Sequence, residues 1–334
     1  MSVVKLSHGS GGEESEKLIH SIFYKNFNNP ILLQRNDASV IGNIQGKIAV
    51  TTDSFVVDPI FFPGGDIGHL SICGTINDLC VSGARPIAIT VGFIIEEGFP
   101  LDELNKIAKS MGETARDNGV NIVAGDTKVV GRGMCHRIFI NTTGIGVIKD
   151  NIDLDPMKIN IGDKIILSGS IGDHGMCILN ERESLLSNSS ILSDAASIYE
   201  LTSNLLESGI RVRFMRDPTR GGVAQVLNEI ASITQKGIVI NEEDIIVKKD
   251  VGSLCSILGI DPLYVANEGK LIAIVNEEDA SRAVDIMRKS PLGVDSSIIG
   301  EVSSTVKRDV YIRTLLGGLK RLPMMTGEIL PRIC

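Results

Sequence analysis

Residues 67–95 read Ile67-Gly68-His69-Leu70-Ser71-Ile72-Cys73-Gly74-Thr75-Ile76-Asn77-Asp78-Leu79-Cys80-Val81-Ser82-Gly83-Ala84-Arg85-Pro86-Ile87-Ala88-Ile89-Thr90-Val91-Gly92-Phe93-Ile94-Ile95. Residues 67–82 read as a buried helix, and 87–95 as a buried strand rich in branched side chains. Working outward, 101–118 is an amphipathic helix that stops at Gly119, a residue suited to a C-cap. Strand-like runs follow at 120–124 and 137–147. Upstream lie a short β-type run at 47–52 and a helical spacing of apolar residues over 13–27, behind a glycine-rich segment. Strand and helix alternate, which predicts an α/β fold.

Asp, Asn and Pro cluster at 149–162 and break the pattern, which then restarts. Strands are expected at 164–168, 211–215 and 270–275, and helices at 172–181, 195–208, 221–234 and 277–289. Two α/β domains, 1–150 and 151–314, account for this better than one large sheet. From 315 periodicity fades, and Gly317, Gly318, Pro323, Gly327 and Pro331 predict a flexible tail over 315–334.

The chain has 334 residues, 43% of them hydrophobic, and a formal net charge of −8, which argues against general nucleic-acid binding. The longest apolar run, 86–95, is about half a membrane span, and the start of the chain lacks a signal peptide's apolar stretch. Six cysteines show neither CxxC spacing nor the density of a disulfide framework, so a reducing cytoplasm is expected. The histidines and cysteines form no zinc-site spacing. Cys73 and Cys80, seven apart on the apolar helix, read as core.

The carboxylates carry more information. Asp37, Asp53, Asp78 and Asp126 each lie at the edge of an apolar segment, and Asp53 and Asp126 are expected directly after strands, where α/β proteins often bind ligands. Asp78, beside Asn77 in an otherwise apolar helix, needs a partner or a metal, because an unpaired buried carboxylate is costly. Taken singly, each reads equally as a cap or turn residue. Convergent, they would repel and call for Mg²⁺, which carries nucleotide phosphates on oxygen ligands. His8-Gly9-Ser10-Gly11-Gly12 precedes a helix and could cradle an anion, or be a simple turn. Lys128 directly follows Gly125-Asp126-Thr127, placed to neutralise phosphate. Asp217-Pro218-Thr219-Arg220-Gly221-Gly222 reads as a helix cap open to an anion, and Glu268 as a loop acid.

The chain ends Pro331-Arg332-Ile333-Cys334. A terminal thiol on a hinged tail gains little from packing and is free to reach chemistry elsewhere. A prenylation signal would need its cysteine four residues from the end. The steps from Pro323 to Cys334, at roughly 3.3 Å each, give the thiol a reach of about 36 Å.

In order, the glycine-rich segment, Thr51-Thr52-Asp53-Ser54, Gly74-Thr75-Ile76-Asn77-Asp78-Leu79, Gly83-Ala84-Arg85-Pro86, Gly125-Asp126-Thr127-Lys128 and the 217–222 motif resemble the aminoimidazole-ribonucleotide-synthetase-like (PurM-like) superfamily. The cysteine ending resembles its hydrogenase-maturation branch. The resemblance implies an N-terminal domain whose strands pair with a second copy's in a dimeric β-barrel, and a C-terminal α/β domain. It implies ATP held through Mg²⁺ on Asp37, Asp53, Asp78 and Asp126, with Asn77 as a further oxygen ligand, Thr127 and Lys128 at the nucleotide, and residues 8–12 folded over it.

It further implies that a carbamoyltransferase, HypF, loads Cys334. ATP then drives dehydration of the carbamoyl group to a thiocyanate, and cyanide passes to a HypC–HypD scaffold for the iron of [NiFe]-hydrogenase. By motif position Glu268 is the expected base and Lys128 the group stabilising charge on oxygen; Arg332, close to Cys334 in sequence, is expected to offset the effect of the terminal carboxylate on the thiol. Two readings compete. A small-molecule ATP enzyme of the superfamily would tolerate loss of Cys334, and a non-catalytic adaptor would hydrolyse no ATP.

Overall fold

The computed structural model describes every residue except 1, 35–37, 43, 187–188, 326, 328–329 and 331–332. The chain enters through a continuous helical run: α1 (Glu13–Leu18), a π-helical segment (Ile19–Tyr24) and α2 (Lys25–Phe27). Then come β1 (Lys47–Phe55), a ribbon of β2 (Phe61–Phe62) and β3 (Gly65–Asp66), α3 (Ile67–Val81), β4 (Ala84–Glu96), α4 (Leu101–Asp117), β5 (Asn121–Val130) and β6 (Ile138–Ile148). The Asp66 carboxylate starts α3 by accepting from the backbone N–H groups of Gly68 and His69.

The first sheet has the order β1-β6-β4-β5. β6 pairs antiparallel with β1 and β4, whereas β4 and β5 are parallel and need the crossover that α4 supplies. Helices α3 and α4 pack on one face, so α3 is buried almost all round. On β1, Thr51, Asp53 and Phe55 alternate toward that covered side, while Ile48 and Val50 project outward, 58% and 65% exposed.

The second domain contains β7 (Lys164–Leu167), α5 (Asp173–Glu183), α6 (Tyr199–Glu207), β8 (Val212–Arg216), α7 (Gly222–Thr234), β9 (Gly237–Asn241) and α8 (Lys249–Leu258). It continues with β10 (Ile272–Val275), α9 (Ala280–Met287), β11 (Ser297–Ser303), β12 (Val310–Arg313) and β13 (Leu319–Arg321). Its sheet runs β13-β12-β9-β11-β7-β10-β8, with helices on both faces. One apolar core crosses the domain seam, joining Ile72 and Ile76 of α3 to Met176 of α5, Leu201 of α6 and Ile333 near the chain end.

Several expectations shift. β1 and β5 continue past their apolar stretches because backbone pairing does not require apolar side chains, so Asp53 and Asp126 lie within strands rather than after them. The helix expected over 195–208 starts only at Tyr199; Asn77 Oδ1 takes the Ile198 N–H at 2.9 Å and holds the approach to it. Residues expected to begin a tail at 315 form the β12–β13 hairpin, and Leu322 is buried beyond it. Among the described residues no helix is long and apolar enough to cross a membrane.

Candidate active site

Asp53 on β1 and Asp78 on α3 face a cleft of about 720 Å³ between the two domains, with Asp217, Arg216 and Arg220 on the opposite wall. Thr51, two residues before Asp53 and on the same face, donates its hydroxyl to Asp78 Oδ2 at 2.6 Å. Asp78 is half-buried rather than buried, because the cleft opens beside this turn of α3, and Thr51 is the partner it takes. Burial, then the Asp78 charge, raises the Asp53 pKa to about 6, and the same two causes raise that of Asp217 to about 7. Asp217 opens the loop into α7, whose Gly222 has φ +60° and lies so near Leu263 that a Cβ would stand 2.5 Å from its carbonyl oxygen.

Glu268 sits behind this cleft, 3% exposed, on the loop before β10. Its backbone is fixed from both sides: Asp194 Oδ1 accepts from its N–H at 3.1 Å, and Asn77 Nδ2 donates to its C=O at 3.0 Å. Asp194 is itself held by Lys270 at 2.9 Å. The side chain is left unmatched, with Oε1 buried and without a hydrogen-bond partner among the described residues. Burial, followed by Asp217, Asp194 and Asp53, drives its pKa well above the usual carboxylate range, against the pull of Arg220.

The chain end reaches this point. The Cys334 side chain lines a cavity of about 410 Å³ with Ser54, Arg220, Tyr264 and Leu330. The Val56 N–H donates to the main-chain oxygen of Cys334 at 3.1 Å, and Ile333 is buried. Burial, then Glu268 and Asp53, pushes the thiol pKa up to about 12, with Arg220 opposing. Arg220 is therefore the cation that acts on the thiol here. Arg332 lies outside the described residues, as does Asp37.

The remaining predicted residues gather elsewhere. His8, Gly9 and Gly11 meet Gly125, Asp126, Thr127 and Lys128 around a cavity of about 310 Å³ walled by Phe23, Tyr24, Phe27 and Phe93. Phe23 stacks on Phe93 at 4.7 Å, offering a flat apolar surface. Lys128 and Asp126 pair at 3.1 Å while 66% and 69% exposed. Residues 8–12 spend hydrogen bonds internally: the Gly11 N–H donates to Ser15 Oγ and the Ser10 hydroxyl to Leu6 O.

Thus Asp53, Asp78, Glu268 and Cys334 converge, whereas Asp126, Thr127, Lys128 and the glycine-rich segment line a separate cavity in the same chain. Asn77 ties α3 to residues 196, 198 and 268 through both ends of its amide, a structural role beside the ligand role expected of it. Among the described residues no three Asp, Glu, His or Cys side chains form a metal cage. An Asp53–Asp78 pair nevertheless suits Mg²⁺, which takes one or two protein carboxylates and fills its other positions with water and phosphate oxygens. Sequence reasoning treated Asp217 as a cap and gave Arg220 no role. The only local sign was an arginine set between a proline turn and a glycine pair.

Two family descriptions match the chain: the AIR synthase related protein N-terminal domain over 35–148 and its C-terminal domain over 160–313. Carbamoyl dehydratase HypE of Bradyrhizobium diazoefficiens is 46% identical over 99% of this chain and 96% of its own length. The chain belongs to the HypE family. The Escherichia coli HypE carbamoyl dehydratase is 42% identical over the whole of both chains. A crystal structure of the hydrogenase maturation protein HypE in complex with ATP superimposes on this HypE-family fold with a TM-score of 0.95. It is 46% identical, over 99% of each chain. A HypE–HypF complex structure matches with a TM-score of 0.81, 45% identity, and coverage of 92% of this chain and 99% of that one.

Proposed function

We propose that this chain is an ATP-dependent carbamoyl dehydratase whose substrate is carried on its own last side chain. The observation that carries this reading is the placement of Cys334 against Glu268, Arg220 and Asp53 inside the protein. A carbamoyl group on the thiol, –S–C(=O)–NH₂, loses oxygen poorly as hydroxide. Transfer of the γ-phosphoryl group to that oxygen makes phosphate the leaving group. The C–O bond then breaks as the N–H protons depart, giving –S–C≡N, ADP and phosphate, with the carbonyl oxygen retained in the phosphate.

Each side chain has a matching task. Glu268, held by its backbone, faces the thiol and takes the N–H proton, and its raised pKa makes it a stronger base once ionised. Arg220, shared by the tail cavity and the aspartate cleft, stabilises charge on the departing oxygen. Asp53 and Asp78 would hold Mg²⁺, which supplies charge neutralisation to the triphosphate.

Asp126, Thr127 and Lys128 belong to the nucleotide-binding set, and the stacked phenylalanines suit a heterocyclic base. Because Lys128 lines a cavity apart from the one that holds Cys334, the reading includes a homodimer. The outward apolar residues Ile48, Val50 and Ile94 on the first sheet are the natural contact. We further infer loading by HypF, delivery of cyanide to HypC–HypD, and work in a reducing cytoplasm, consistent with six free cysteines.

Intact-mass measurement of the carbamoylated chain tests this. Mg-ATP should remove one water from the C-terminal peptide, and an unchanged mass under competent loading rejects the dehydratase.

A further inference from the structure

His174 lies in the first turn of α5, completely buried and outside the residues assigned to the chemistry. Its two ring nitrogens have different partners. Nδ1 is 2.8 Å from Ser193 Oγ, and Nε2 is 2.8 Å from the carbonyl oxygen of Ile333. A carbonyl only accepts, so Nε2 carries the proton and donates to the tail. Nδ1 must then accept from the Ser193 hydroxyl. Ser193 Oγ in turn accepts from the Ala195 N–H at 3.1 Å, and the Ser193 N–H donates to Pro63 O, which anchors the relay in the β2–β3 turn. The ring edge also meets Phe62 at 5.7 Å. Every donor and acceptor is matched for one neutral tautomer. Burial, working against Asp194, lowers the His174 pKa and favours the same form.

We propose that His174 is a positioning residue that latches the chain end, holding Cys334 in register with Glu268 through the last main-chain carbonyl before it. The Val56 N–H grips the main-chain oxygen of Cys334 at 3.1 Å, so the main-chain oxygens on both sides of the last Cα are held, one by a side chain and one by a backbone N–H. Because neither grip touches the sulfur, the latch closes equally on the bare thiol, its thiocarbamate or a thiocyanate. The positioning role rests on the dehydratase reading; the latch itself does not.

Two substitutions separate the two hydrogen bonds. His174→Asn keeps an acceptor for Ser193 and is too short for Ile333, whereas His174→Gln can still place an N–H at the Ile333 carbonyl. Each full-length variant is treated with a bulky maleimide, and labelling is followed cysteine by cysteine by peptide mass. We expect Cys334 to label about three- to tenfold faster in His174→Asn, the scale of one net hydrogen bond. His174→Gln should stay within about twofold of the parent chain, while half-buried Cys135 labels at the parent rate in both. Equal Cys334 rates in both variants overturn the latch.

Should either variant label the buried Cys73 or Cys255 and so prove misfolded, the parent chain decides. Deleting residues 333–334 should move the His174 Nε2 NMR resonance, and an unmoved resonance overturns the proposal. Labelling and resonance read the latch even if the chain makes no thiocyanate, so failure of the latch and failure of the dehydratase reading remain distinguishable.

Discussion

The two groups of predicted site residues differ in how far their charges are withdrawn from water. Around β5, Asp126 and Lys128 form an ion pair that is mostly exposed, worth at most about 1 kcal/mol. Across the domain seam, Glu268 and Asp217 are buried among other carboxylates, and their pKa values are displaced upward. Exposed charges can receive and release a charged ligand without large desolvation cost. Buried ones store that cost in the folded chain and make it available as basicity. On the proposed reading the same residue types serve arrival in one place and proton transfer in the other.

The division can be broken at its strongest point first. Cys334→Ala should abolish product formation, with the melting temperature little changed; any residual thiocyanate would remove the tail from the chemistry. Glu268→Gln comes next, lowering turnover by about 10²–10⁴-fold while ATP affinity stays within about twofold by calorimetry. Unchanged turnover would eliminate Glu268 as base.

Asp217 tests the stored cost. Its pKa is raised to about 7 when folded, so as pH climbs from about 4 the unfolded chain ionises first and stability falls until about pH 7. Asp217→Asn should flatten this decline and gain about 4 kcal/mol at pH 7.5, with no gain near pH 4, by denaturant titration at both pH values. A gain equal at both would show that repacking, rather than charge burial, is responsible.

Asp78→Asn should weaken Mg-ATP binding about tenfold and erase any Mg²⁺-dependent rise in melting temperature; a preserved rise would move the metal elsewhere. Smallest is Lys128→Ala, expected to weaken ATP binding a few-fold and to change stability by less than about 0.5 kcal/mol. A larger stability loss would contradict the open, exposed character of that cavity.

Local pattern revealed what local physics determines. The apolar run over 67–82 demanded a partner for Asp78, and Thr51 provides one. Helices α4 and α7 fall within a residue of their expected ends, because Gly119, Gly221 and Gly222 punctuate the sequence. By contrast, β9, β11, β12 and β13 had no legible signal. Each is short, and each is stabilised by neighbours distant in sequence, such as the parallel pairing of β12 with β9.

The site divides the same way. Residue type flagged Asp53, Asp78, Glu268 and Cys334, but their convergence depends on two domains closing on one core. The structural role of Asn77 was hidden for a related reason. An amide beside a carboxylate reads as a ligand until the neighbouring loop arrives and takes its hydrogen bonds. His174 is silent in sequence, since a lone histidine in an apolar helix declares no partner.

Ile333 is counted among the side chains of the shared core, next to the residue that carries the chemistry. Withdrawing the chain end therefore strips a plug from the hydrophobic interior, at roughly 1.5–3 kcal/mol for one isoleucine. Spontaneous excursions would be held to between about one in ten and one in a hundred molecules. A protein that loads or unloads the sulfur must compensate that deficit with its own contacts, so cargo exchange is restricted to acceptors that bind tightly enough to uncork it.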